Sequence, residues 1–121
     1  MRNLPEKKGY AKHLAQLGED LYGLEHFKGD KCNVAVAILQ NGQYFVGTAF
    51  LNPVDQYNHK LGHEIAVGRA LFRAVYCINN DGILWEEGAE VPTGRELGKL
   101  CQKIAQDALE EAMEYYCREC S

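Results

Sequence analysis

The sequence predicts a single α+β domain spanning residues 1–121, in which a central antiparallel hairpin packs against two or three helices, including a long C-terminal one. Two apolar segments flank an Asn-Gly pair, and a helical spacing of apolar residues occurs on either side of them. No repeat or change of composition marks a second domain. A chain of 121 residues also suits one modest hydrophobic core.

The first segment carries apolar residues at alternating spacings of four and three: Tyr10, Leu14, Leu17, Leu21 and Leu24. This spacing matches one face of an amphipathic helix, so a helix is predicted from Lys8 to Leu24, although Gly18 and Gly23 weaken it. The "HFKGDK" segment that follows is predicted to be a connector.

The hairpin is predicted from "CNVAVAILQ" and "QYFVGTAFL", which are joined at Asn41-Gly42. An Asn-Gly pair tolerates the positive φ angles of a type I′ turn. Both faces of the first strand are apolar, so both are expected to be covered. Because a lone hairpin is marginal in water, further strands are expected from Gly82 to Glu87, from a partner chain, or from both.

Two more helices are predicted after the hairpin. Asn52-Pro53 ends the second strand, and Asp55 can cap a helix that runs to about Val75. Its inward residues are predicted to be Leu61, Ile65, Leu71, Phe72 and Val75. The longest helix opens in "VPTGRELGKL", where Thr93 and Glu96 stand at capping-box spacing. Its buried stripe is predicted to be Leu97, Cys101, Ile104, Ala108, Ala112 and Tyr115.

The charge balance limits the kinds of partner. The formal net charge is −4, which argues against nonspecific binding to DNA or to an anionic membrane. No apolar run has the length of a membrane span and the N-terminus has no signal-peptide core, so a cytoplasmic location is expected. Five cysteines are an odd number for a secreted disulfide framework, which agrees with that location.

Positive charge is nevertheless concentrated in "DQYNHKLGHEIAVGRALFRA", residues Asp55 to Ala74. Arg69 and Arg73 are four apart and therefore lie on one side of a helix. Their planar guanidinium groups match phosphate oxygens, while Gly62 and Gly68 leave room for the close approach of a ligand or of another backbone. We expect the two arginines to face a hollow, apart from compensating acids, and to bind a pyrophosphate. The open alternative is that both pair with surface glutamates.

Other residues are predicted to complete this site. Lys60 is expected to assist the two arginines. Arg95 is a further candidate, because the long helix has its cations near its N-terminus, where backbone N–H groups attract anions; the alternative is that Glu96 and nearby acids offset them. Tyr57 is the preferred residue to stack on a nucleobase, although most aromatic residues belong to cores. Asn58 or Asp55 could recognise ribose hydroxyls.

The strand–Asn-Gly–strand pattern followed by "NPVDQYNHKLGHEIAVGRAL" resembles the Thoeris anti-defence family, type one. The resemblance covers Val34 to Phe72 and is most specific from Ile65 to Ala70. It implies a phage sponge that binds cyclic ADP-ribose isomers made by bacterial TIR immune enzymes, without cleaving them, in the infected host cell. His63 stands where that family carries an arginine, and its part in the ligand site is implied by this resemblance.

The same resemblance implies an assembly. Members of that family form homo-oligomers with ligand recesses at subunit interfaces, and some hold cyclic oligonucleotides at separate sites. For this chain we therefore expect a dimer or a hexamer whose sheet is completed between subunits. No cofactor is expected.

Catalytic alternatives have weaker support in the sequence. Zinc deaminases need H-x-E and P-C-x-x-C, and neither pattern occurs. His59 and His63 could hold a metal together with Cys117 and Cys120, but the H-E-x-x-H pattern fails, so no metal is predicted. A small nucleotide hydrolase with His59 or His63 as base stays an alternative. Another is a protein-interaction inhibitor that uses the acidic face of the C-terminal helix.

Overall fold

The computed structural model describes residues 10–29, 32–50 and 59–120, the side chains of 59–61, 113 and 115–120 excepted. Its helices and strands are, in order, α1 (Ala11–Leu17), a 3-10 turn (Gly18–Asp20), β1 (Leu21–Lys28), β2 (Cys32–Leu39), β3 (Gln43–Phe50), α2 (His59–Val75), β4 (Gly82–Ile83) and α3 (Gly94–Cys120). This order confirms the α+β prediction, including the long C-terminal helix.

The four strands form one antiparallel sheet in the order β1-β2-β3-β4. The central strand β2 is buried along its whole length, because helices cover both faces of the sheet. Ala35 and Ala37 pack with α1 and α2 on one face, whereas Val34 and Val36 pack with α3 on the other. The expectation that both faces of this strand are covered is confirmed. One chain supplies all four strands, and completion of the sheet between subunits stays a prediction.

The predicted first helix is wrong beyond Leu17. Gly18 has a φ of 49° and ends α1, and the chain becomes extended from Leu21 onwards. Part of the predicted connector "HFKGDK" is also strand, since β1 continues to Lys28. A spacing of three is not that of a regular strand, but backbone pairing with the apolar strand β2 favours the extended structure here. A bulge between Leu21 and Gly23 adjusts the register.

The hairpin is confirmed, but its turn is not of type I′. Among the three loop residues only Gly42 has a positive φ, of 92°, and its N–H donates to Leu39 O at 2.9 Å. This is a three-residue loop closed by a glycine. Leu84 N–H donates to Gly42 O at 2.8 Å, and a Cβ at Gly42 would overlap Trp85 O. The Trp85 segment therefore packs on the turn, and only Gly82–Ile83 of the predicted strand is extended.

The second helix ends at Val75 as predicted, while Asn52-Pro53 and the proposed cap Asp55 lie outside the described residues. Two of its predicted inward residues are wrong, since Ile65 and Phe72 are 36% and 45% exposed. Leu71 is buried and Val75 is half-buried, which confirms those two. The buried face consists mainly of small residues: Ala66, Val67, Ala70 and Ala74.

The predicted buried stripe of α3 is confirmed for those of its residues whose side chains are described. Cys101 and Ala112 are buried, and Leu97, Ile104 and Ala108 are partly buried against the same core. The side chain of Tyr115 lies outside the described residues. The helix begins at Gly94, directly after the predicted cap Thr93. Among the helices that are described, none combines the length and apolar character that a membrane crossing requires.

The small face of α2 lies directly on β3 at Gly47. A Cβ added there would overlap Ala66 O and Ala70 N, and would lie 3.0 Å from Ala70 Cα. Real side chains do not tolerate backbone atoms at such distances. The absence of a side chain at Gly47 therefore sets how closely the helix approaches the sheet.

We predict that Gly47→Ala lowers the free energy of unfolding by about 1–3 kcal/mol, because the added methyl group displaces α2. Gly98→Ala is the matched control, since Gly98 lies inside α3 with nothing within 4 Å of an added Cβ. There alanine should stabilise by up to ~1 kcal/mol through helix propensity. Urea unfolding followed by circular dichroism measures both. Equal stability of Gly47→Ala and the parent chain would contradict the close approach of α2.

Candidate functional site

The two arginines of α2 hydrogen-bond to the outer edge of β3. Arg69 Nη1 donates to Thr48 O at 2.7 Å, and Arg73 Nη1 donates to Val46 O at 2.8 Å. Alternate residues of an edge strand direct their backbone groups away from the sheet, where they lack a strand partner. The guanidinium groups supply part of the missing pairing. Their four-residue spacing along the helix matches the two-residue repeat of the strand.

An acidic residue completes the edge. Asp81 Oδ2 accepts a hydrogen bond from Val46 N–H at 2.7 Å and forms an ion pair with Arg73 Nη1 at 2.9 Å. Asp81 N–H in turn donates to Tyr44 O at 2.9 Å. Arg73 Nη2 also donates to Asn79 O. The expectation that both arginines stand apart from acids is therefore wrong for Arg73, which is held by a carboxylate and two carbonyl groups.

Arg69 is less committed than Arg73. Among the described residues, its guanidinium donates one hydrogen bond, to Thr48 O, and no carboxylate pairs with it. A guanidinium has five N–H donors in a planar fork, so most of those of Arg69 are available to a ligand. Arg73 retains fewer, because Nη1 already serves two acceptors.

A cavity of about 520 Å³, the α2 recess, opens beside these arginines between α1, α2 and β3. Its main lining residues are His13, Gly47, Ile65, Gly68, Arg69, Phe72 and Arg73. Two guanidinium groups and one imidazole line it, and none of its described lining residues carries a carboxylate. The surface therefore offers a positive recess in a chain whose net charge is −4. The predicted hollow beside the two arginines is present.

An aromatic ring stands in this recess. Phe72 is 45% exposed, and its ring contacts His13 edge-on at a centroid distance of 5.7 Å and Tyr76 at 4.8 Å. A planar ligand group could therefore lie against the exposed ring. This exposure differs from the core position that the sequence predicts for Phe72. Helical spacing offered a signal, because Phe72 follows Arg69 by three residues and so lies on the same side of α2.

Most of the other predicted ligand residues belong to the part of the chain that is not described. Tyr57, Asn58 and Asp55 lie outside the described residues, as does the side chain of Lys60 in the first turn of α2. Arg95 is exposed in the first turn of α3 and does not line the recess. The structure thus assembles Arg69, Arg73 and Gly68 from the predicted set, and adds His13 and Phe72.

His63 belongs to a different cluster, between α2 and the sheet. Its ring meets that of His26 at a centroid distance of 4.0 Å, edge to face. Asn33 is buried beside His26, and both His26 Nε2 and Asn33 Nδ2 are buried without a hydrogen-bond partner. Burial lowers the pKa of His26, as do the neighbouring His63 and Lys28, while a hydrogen bond that His26 donates to the Asn33 side chain opposes this.

The thiol groups provide no nucleophile in the core. Cys101 is fully buried, and burial, followed by the nearby Glu25 carboxylate, raises its pKa to about 11. Burial likewise raises the pKa of Cys32. A thiol that keeps its proton at neutral pH reacts slowly. Cys101 is therefore a packing residue, as predicted. Within the described ranges, no group of three histidine, cysteine or acidic side chains could hold a metal ion.

Comparison of the chain with protein-family models, with curated protein sequences and with solved structures gives no match.

The edge contacts predict a graded response to substitution. We expect Arg73→Leu to lower the free energy of unfolding by about 2–3 kcal/mol, because a charged hydrogen bond contributes roughly 1.5–3 kcal/mol and Asp81 would lose its partner. Arg69→Leu, the matched control on the same helix face, should cost less, about 1.5 kcal/mol, because it loses a single charged hydrogen bond at an exposed position. Urea unfolding of both variants checks the order, and a larger loss for Arg69→Leu would contradict the contacts.

The pH dependence of stability should report on His26. The unfolded chain takes up this proton near the ordinary pKa of 6.5, whereas the folded chain resists it. The free energy of unfolding should therefore be greatest above pH 6.5 and decrease as the pH falls below it. His26→Leu should flatten this decrease, and the control His13→Gln should not. Urea midpoints at a series of pH values test this, and an unchanged slope in His26→Leu would contradict it.

Proposed function

We propose that the chain is a non-catalytic binding protein that captures a small phosphorylated nucleotide in the α2 recess and so lowers its free concentration. The observation that carries this proposal is the Arg69 guanidinium, which has no acidic partner among the described residues and borders a cavity beside the exposed ring of Phe72. Phosphate and nucleobase are the two groups that this combination suits. The volume of about 520 Å³ lies within the range usual for small-ligand sites.

Each residue then has a distinct part in binding. Arg69 donates to phosphate oxygens with the N–H groups that Thr48 O leaves available. Arg73 adds positive charge and keeps its place through Asp81. Phe72 supplies the stacking surface. Gly68 lines the recess without a side chain, and a Cβ there would be 3.8 Å from Tyr10 Cβ, so the glycine is not required for packing.

The ligand we propose is a cyclic ADP-ribose isomer, with cyclic oligonucleotides as a second class at a separate site. This choice rests on the resemblance of residues 34–72 to the Thoeris anti-defence family, type one. A phage sponge acting in the cytoplasm of an infected bacterium, as a homo-oligomer, is the corresponding biological role. The hydrolase alternative has less support, because His63 packs against His26 and does not line the recess.

The decisive variant is Arg69→Glu, with Arg95→Glu as a control of identical charge change at an exposed position outside the recess. Cyclic ADP-ribose isomers, linear ADP-ribose and cyclic dinucleotides are each titrated by isothermal calorimetry. Loss of one charge-assisted hydrogen bond costs ~1.5–3 kcal/mol, so Arg69→Glu should weaken binding by at least about 10- to 150-fold. Arg95→Glu should bind as the parent chain does.

Two outcomes of this experiment would reject the proposal. One is normal affinity of Arg69→Glu in a variant whose circular dichroism and elution volume are unchanged. The other is chemical alteration of the ligand: bound ligand is released by heating, and chromatography distinguishes the intact molecule, which sequestration requires, from a product, which indicates an enzyme.

A further inference from the structure

A second cavity, the α3 groove, lies on the opposite side of the β3 edge and has a volume of about 490 Å³. One wall is formed by alternate residues of β3, namely Tyr44, Val46, Thr48 and Phe50. The other is a face of α3 that carries Ile104, Asp107, Ala108, Glu111 and Ala112. The core that α3 shares with the sheet is centred on β2, and Phe50 at the end of β3 is 41% exposed.

The α3 groove is negative where the α2 recess is positive. Asp81, Asp107 and Glu111 line it together with a single guanidinium, that of Arg73. Arg73 is already paired with Asp81 at 2.9 Å, so among the described residues of the groove no other cation faces the two carboxylates of α3. Lys103, one turn before Asp107, lies outside the groove and shares a neighbouring depression with Asp107, and no ion pair within 4 Å joins the two described side chains. The neighbouring Tyr44 has a raised pKa, caused first by burial and then by Asp81 and Asp107.

The shape of the groove is elongated. Its strand wall extends over seven residues from Tyr44 to Phe50, roughly 20 Å at the usual rise of a strand. Asp107 and Glu111 are four residues apart on α3, a separation of about 6 Å along the helix axis. Alternate side chains on one side of an extended peptide are about 6.5–7 Å apart. Two basic residues at positions i and i+2 of such a peptide can therefore meet the two carboxylates together.

Most of the described strand edge is already paired. Tyr44 O, Val46 N–H, Val46 O and Thr48 O already have hydrogen-bond partners within the chain. A segment in the groove would consequently be recognised through its side chains. Basic residues would face α3, and the apolar residues between them would pack on Val46 and Phe50.

We infer that the α3 groove docks an extended basic segment of a partner protein, in which Lys or Arg alternates with apolar residues. Charge complementarity with Asp107 and Glu111 selects the basic residues, and the apolar wall of β3 selects the residues between them. This inference is independent of the α2 recess and of any nucleotide. It identifies a protein-interaction surface on the acidic face of the C-terminal helix.

The test uses the full chain and three fluorescein-labelled hexapeptides, KVKVKV, KKKVVV and EVEVEV, measured by fluorescence anisotropy at low ionic strength. KVKVKV should bind more tightly than KKKVVV, which has the same charge without the alternation, and EVEVEV should not bind. Asp107→Asn/Glu111→Gln should weaken KVKVKV binding by about 5- to 30-fold. The control Glu87→Gln/Glu110→Gln removes the same charge at exposed positions outside the groove and should bind as the parent chain.

Three results would overturn the inference. Equal weakening in the two double variants would mean general attraction to an acidic protein. Equal affinities for KVKVKV and KKKVVV would show that the alternation of lysine and valine does not matter for binding. Displacement of the peptide by spermine at the concentration that displaces it from polyglutamate would indicate a site for any polycation. Nucleotide binding to the α2 recess is measured separately, and none of these three results depends on it.

Discussion

The close approach of α2 to β3 at Gly47 is the constraint on which the rest of this surface depends. With Ala66 and Ala70 on the glycine, the helix axis is near enough to the strand for Arg69 and Arg73 to reach its outer carbonyl groups. Larger side chains between α2 and β3 would hold the helix further from the strand. The two guanidinium groups would then not reach the carbonyl groups of β3. The same packing thus protects an exposed sheet edge from pairing with other chains and lines the α2 recess with positive charge.

Asp81 gives the two arginines different parts, because it pairs with Arg73 and leaves the donors of Arg69 for a ligand. This residue lies 35 positions from Val46 in sequence, and the turn that brings it to the strand contains two non-glycine residues with positive φ, Cys77 and Asn79. A ligand that drew Arg73 away would have to compensate the lost ion pair and carbonyl contacts. An anion gains more from Arg69, whose donors are largely unused. The recess is therefore better suited to one principal phosphate contact than to two equivalent ones.

Sequence reasoning succeeded where local pattern and burial agree. The Asn-Gly hairpin, the end of α2 and the stripe of α3 depend on short-range spacing, and all three are present. It failed for β1, because leucine residues spaced three and four apart suit a helix unless a neighbouring strand competes for their backbone. It also failed for Ile65 and Phe72, since it favoured large apolar residues for the core. Tight packing on Gly47 instead requires the alanine face of α2 inward, which turns the larger residues outward.

The opposite charges of the α2 recess and the α3 groove could not have been predicted from composition. They depend on which side of β3 each helix lies, and hence on long-range topology. Arg73 lines both cavities, and its pair with Asp81 forms the boundary between them. An overall charge of −4 is therefore compatible with a local anion site, because the acids of α3 are separated from Arg69 by the strand and its bound side chains. Attraction between unlike charges in adjacent cavities is reduced by distance and solvent, so each surface can keep its own sign.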